Sequence, residues 1–175
     1  MNLHRSLAAV GGIVAALMVS IAMPGSALAQ RDATSKIRGD YNFYSSQSGR
    51  RMTYARNYAQ DLHRYIAETP KPNPAIVKEM TIEIGRNLEE AKKHLASMKK
   101  EAGDDKETAA AITKIENKLT HAFDMHTKLC DCCKDASFKQ IHGMECCNDL
   151  ATELDQIMAD HGAVMRKQAH KSVGK

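Results

Sequence analysis

Hydrophobic positions recur every three or four residues along most of the chain, and turn-forming residues cut the pattern into four long segments. From Ser35 to about Thr69, Tyr41, Tyr44, Ser48, Met52, Ala55, Tyr58, Leu62 and Ile66 share one side of a helix. Pro70, Pro72 and Pro74 end this segment. The second segment begins at Asn73-Pro74, an N-cap residue followed by proline at the first helical position. It carries Val77, Met80, Ile84, Asn87, Ala91, Leu95 and Met98, and Gly103 is its stop. The third opens at Asp104, with Glu107 three residues on as a capping-box partner. Ile112, Ile115, Leu119, Ala122, His126, Cys130 and Cys133 form its stripe. The fourth starts near Ser137, with Gln140 as the second half of another capping box. Cys147, Leu150, Leu154, Ile157, His161 and Met165 form its stripe.

No segment alternates with the period of a strand. Long helices joined by short connections pack as antiparallel neighbours. The pattern therefore predicts an all-α protein, an antiparallel up-down-up-down four-helix bundle.

The residues before this bundle have a different character. Met1 to Ala29 reads as a secretory signal: His4 and Arg5 precede an apolar run from Leu7 to Met23, and Ala27-Leu28-Ala29 fits a cleavage site. The domain is then residues 30–175, and the expected location is periplasmic or otherwise exported. Beyond the signal no apolar run approaches the ~20 residues of a membrane span. The formal net charge is +4, of which Arg5 supplies one unit and the signal no acid. So weak a charge, with no basic run interleaved with aromatics, gives no reason to expect nucleic acid as a partner.

Chemistry concentrates in one place. All five cysteines lie between Cys130 and Cys147, with His126 and His142 beside them and Met144 between. The count is odd, and two pairs are adjacent in sequence, Cys132-Cys133 and Cys146-Cys147, which does not look like a disulfide framework. At about 100° per residue, His126, Cys130 and Cys133 lie on the inner face of the third helix, while Cys132, Met125 and His121 turn outward. A turn centred near Asp135-Ala136 sets His126 opposite Cys146 and Cys130 opposite His142. The same register places Ile141 and Phe138 opposite Cys130 and Cys133, which counts against cross-helix disulfides. Thiolate, imidazole and thioether donors suit Cu(I), with Zn(II) second. The predicted ligands are Cys130, Cys146, Cys147 and His126, with Cys133, His142 and Met144 as further candidates. A second cluster, His94 and Met98 near Met158 and His161, is a further expectation.

An exported four-helix bundle with inward Cys130, Cys133, Cys146 and Cys147 resembles the bacterial copper-storage proteins, whose bundles are lined with thiols that hold Cu(I). This chain has five cysteines, none on its first two helices, and no CxxxC. The resemblance therefore implies a thiol-containing copper-binding bundle rather than a high-capacity store. The donors Cys130, Cys146, His126, His142 and Met144 are also similar in kind to those of the binuclear copper centre of cytochrome oxidase, which sits on a β-sandwich.

Other chemistries lack their residues. There is no CxxCH for haem, no Glu-x-x-His for a di-iron site, no HExxH, no P-loop and no GxSxG. Two readings stand beside metal binding. One is a structural or interaction bundle of the cell envelope whose thiols pack or form disulfides. The other is a thiol redox enzyme using a cysteine next to His126, for which burial gives poor substrate access. The implied partners are a metal ion and, for delivery or electron transfer, a second protein or another copy of the chain. Sequestration, delivery and electron transfer all fit.

Overall fold

The computed structural model describes residues 25–134 and 139–173. Four helices account for almost all of them: α1 Gly25–Glu68, α2 Pro74–Glu101, α3 Lys106–Lys134 and α4 Gln140–Val173. No strand occurs among the described residues. Most of the expected signal, residues 1–24, lies outside them. The expected cleavage residues Ala27 to Ala29 fall inside α1, which begins ten residues earlier than Ser35. Ala27, Leu28, Ala29, Gln30 and Arg31 are good helix formers, so the helix extends beyond its amphipathic part.

Cross-helix contacts fix the topology. Between α3 and α4, Lys118 pairs with Asp160 at 2.6 Å and His121 with Glu153 at 3.5 Å, so numbers rise on one helix as they fall on the other. Between α1 and α4, Ser45 meets His161 and Arg56 meets Asp155. Between α1 and α2, Tyr44 lies against His94 and Arg51 bonds Asn87. Between α2 and α3, Lys99 pairs with Glu116 and Thr81 with His126. Every neighbouring pair is antiparallel, and α1 closes the ring against α4. Exposed ion pairs such as these add little stability. They serve here as markers of register.

The core follows the stripes read from the sequence, joined by Ala59, Leu88, Leu129 and Ala151, whereas Tyr44, Tyr58, Met80 and Met165 only pack against it. Met52, Leu62, Ile84, Leu88, Leu95, Ile112, Leu119, Leu150 and Leu154 are wholly buried. Ala55, Ala59, Ala91 and Ala122 alternate with them, and such small residues let facing layers interdigitate. On α3 the stripe bends away from its expected line. Leu129 takes the fully buried position, and Cys130 and His126 are only half-buried.

The helix ends explain the connections. The Asn73 side chain accepts from Ala75 N–H at 2.9 Å, with Pro74 at the first position of α2. Gly103 adopts φ 54° just past α2, the left-handed conformation glycine favours there. The cap of α3 is Asp105, one residue later than expected: its carboxylate accepts from the Thr108 N–H at 3.1 Å and from the Thr108 hydroxyl at 2.8 Å. Glu107, expected to close the capping box, instead pairs with Lys167 and Lys171 of α4. Ser137 lies outside the described residues. Gln140, its expected partner, donates to the Thr69 and Pro70 carbonyls, tying the start of α4 to the proline turn. The cysteine segment and that turn therefore share one end of the bundle.

Candidate metal centre

All five cysteines are free thiols, and they divide into three environments. The first is the rim between the last turn of α3 and the second turn of α4. Here Cys132 Sγ and Cys146 Sγ lie 3.7 Å apart. One ring nitrogen of His142 joins them, so that three ligand atoms all lie within 4.8 Å of one another. Both cysteines are half-buried and His142 is exposed, so the group opens to solvent. Glu145, one turn along α4, lies 3.6 Å from His142 Nδ1. A carboxylate beside one ring nitrogen orients an imidazole, as second-shell partners of metal ligands do. Burial pushes the Cys146 thiol up to about 11, and its hydrogen bond with Cys132 acts in the same direction. Without metal, Cys146 is protonated at neutral pH. This Cys-His-Cys group can hold a metal ion.

The second environment is the α2–α3 interface. His126 Nε2 donates to the Thr81 carbonyl at 2.9 Å, which assigns the ring proton to Nε2. Cys130 Sγ sits 3.5 Å from Nε2 and 4.0 Å from Nδ1 of the same ring. The imidazole comes this close to α2 because residue 85 is glycine: a Cβ there would stand 2.8 Å from His126 Cε1. Cys133 is pushed up to about 11 by burial, against a lowering hydrogen bond with Thr81. His126, Cys130 and Cys133 thus gather around one turn of α2.

The third environment is the core itself. Cys147 is fully buried, and burial pushes its thiol up to about 12. It packs as a small hydrophobe. Met144 also packs against the core.

Cys132, assigned outward from the sequence, therefore faces Cys146. His126 and Cys130, expected opposite Cys146 and His142, turn toward α2. The reason lies in the phase of α3. Leu129, not Cys130, takes the buried position there. At about 100° per residue, Cys132 then lies about 60° to one side of the buried face, toward α4, and His126 and Cys130 lie to the other side, toward α2. α4 begins at Gln140 rather than near Ser137, so the connection centres near residue 137, which brings Cys132 level with Cys146.

The opposite end of the bundle holds the remaining inward histidine. His161 Nε2 lies 3.2 Å from the Ser45 hydroxyl and 3.0 Å from the Ser48 hydroxyl, while Ser48 donates to the Ser45 carbonyl at 2.9 Å and Ser45 donates to Met165 Sδ. Met158 Sδ accepts from Thr53 at 3.4 Å. His94 lies against the Tyr44 ring and Met98 is buried in the core. His161 is thus a hydrogen-bonded core residue turned to α1, and His94 and Met98 have partners of their own. Burial lowers the His161 pKa below its usual value. The unfolded chain then binds this proton more readily than the folded one, so stability falls as pH drops below about 6.5. In urea unfolding at pH 7.5 and pH 5, the wild type is expected to lose more of its midpoint than H161Q. Equal losses would show that His161 is not buried as a neutral group.

No protein-family model, characterised protein or solved structure matches this chain. Its chemistry has to be argued from the residues. Among the described residues no helix is long and apolar enough to cross a membrane.

Proposed function

We propose that this protein is an exported metal-binding bundle that takes copper as Cu(I) at Cys132, Cys146 and His142. The observation that carries the reading is the pair of sulfurs 3.7 Å apart with an imidazole nitrogen beside them. Two metal–sulfur bonds of ~2.3 Å, at angles between tetrahedral and trigonal, hold their sulfurs roughly 3.8–4.0 Å apart. The thiols are therefore spaced as ligands of one ion.

Donor chemistry favours copper. Two thiolates and an imidazole are soft donors, and Cu(I) is the soft ion they select. Three donors satisfy Cu(I), whereas a structural Zn(II) site wants a fourth, which makes zinc the second choice. The rim position suits hand-over to a partner better than storage, because the exposed His142 keeps one side of the ion accessible. The Met1–Ala29 pattern supports export, and the periplasm is the compartment that fits it. The likeness to copper-storage proteins extends to a thiol-bearing bundle and not to their capacity.

The test is a titration of reduced, metal-free protein with Cu(I) against a competing Cu(I) chelator, and with Zn(II) in parallel. One tightly held equivalent of Cu(I), bound more strongly than Zn(II), is expected. Failure to retain any Cu(I) against the chelator would end the reading.

A further inference from the structure

Two thiols placed as ligands of one ion are also placed to join each other. Cys132 and Cys146 are free, half-buried and 3.7 Å apart at sulfur, on antiparallel helices linked by a short connection. A disulfide needs the sulfurs at about 2.05 Å, so closure asks for an approach of about 1.7 Å. Both residues lie close to helix ends, Cys132 two residues from the end of α3 and Cys146 in the second turn of α4. The other thiols are engaged elsewhere: Cys130 faces His126, Cys133 bonds Thr81 and Cys147 is enclosed by core side chains. The exposed His142 beside the pair leaves the rim open to a small reagent.

We propose that Cys132–Cys146 is an oxidation site that forms an interhelical disulfide and, by doing so, switches off the metal centre. The oxidant is a small-molecule disulfide, of the glutathione class. One cysteine loses its proton and attacks a sulfur of the oxidant. The oxidant's S–S bond breaks, one small thiol leaves, and a mixed disulfide remains on the protein. The second cysteine then attacks the protein sulfur of that mixed disulfide and expels the second small thiol. The protein gives up two protons and two electrons, and the oxidant takes up both and becomes two thiols. Both sulfur ligands are consumed, so the disulfide and the bound ion exclude each other. This last step rests on the metal reading above, whereas the disulfide itself does not.

The experiment uses the reduced, metal-free full chain incubated with glutathione disulfide, alkylated, and weighed by whole-protein mass spectrometry. The number of alkylated thiols is expected to fall from five to three, with the loss of two hydrogen masses. C130S should lose two thiols in the same way. C132S should lose none to an internal disulfide and carry at most a glutathione adduct. A wild type that keeps all five thiols, or a C132S that still forms an internal disulfide, overturns the proposal. Cu(I) titration of the oxidised and reduced forms reads the switch, with binding expected in the reduced form alone. Full Cu(I) binding by the oxidised form would overturn the exclusion. A disulfide that forms in a protein which never binds Cu(I) would uphold the oxidation site and remove the metal function.

Discussion

Replacing Cys132 or Cys146 by serine is expected to lower Cu(I) affinity by ~100-fold or more, since loss of a mere second-shell partner already costs about 10–100-fold. Serine nearly preserves the volume and substitutes a hard oxygen for a soft sulfur. C130S is the informative control. Its thiol is the same distance along the sequence from the loop within a residue or two, but it faces His126, which itself bonds the Thr81 carbonyl of α2. It should leave the affinity unchanged. All three variants should keep the helical circular dichroism of the wild type, because these cysteines are half-buried at the bundle end and not in its core. Competition against a Cu(I) chelator measures the series. If C130S weakens binding as much as C132S does, the ion sits at the α2–α3 interface and the rim site is wrong.

The second large effect is with pH. Cys146 holds its proton up to about 11, chiefly because burial disfavours the thiolate. A metal binds the thiolate, so capture of an ion expels that proton. Below the thiol pKa, each proton displaced lowers the apparent affinity tenfold per pH unit, so Cys146 alone accounts for about 100-fold between pH 8 and pH 6. The direction is fixed: affinity rises with pH throughout the neutral range. Chelator competition corrected for the chelator's own protonation at each pH measures it. A flat profile would mean that no buried thiol gives up a proton, and Cys146 would not be a ligand. The same burial that keeps the metal-free thiol protonated thus makes the site sensitive to acid.

The Cys-His-Cys group at the bundle end also bears on a local tension in the sequence. Core positions of α3 and α4 are filled largely by leucine, isoleucine and alanine, but at the end of α3 and the start of α4 Cys133 and Cys147 pack there instead. Thiols pack there as small hydrophobes, so the bundle closes without metal. The neighbouring Cys132 and Cys146 are one residue out of phase with that packing. Both stay half-buried, so their sulfurs remain within reach of an ion at the rim.

Much of this protein was legible in the order of its residues. Four amphipathic periods, the Asn73-Pro74 start of α2 and the Gly103 stop are local features. Local backbone preferences and burial of one stripe per helix determine them wherever the helices end up. The crowding of every thiol between α3 and α4 was legible too, and so was the presence of soft donors in number sufficient for an ion. Which donors meet was not. A side chain's direction turns by about 100° with each residue. Taking Cys130 rather than Leu129 as the buried position of α3 therefore turns the expected face by about 100°, which moves Cys132 from solvent to Cys146 and Cys130 from α4 to α2. Likewise His161 reads as inward from its spacing, but its partners Ser45 and Ser48 lie on a helix more than a hundred residues away. The sequence by itself determined the helices, their core faces and the kind of chemistry carried at one end. Packing of α3 against α4 decided the site, because the register between two helices is set by how their whole surfaces fit, and no single segment encodes it.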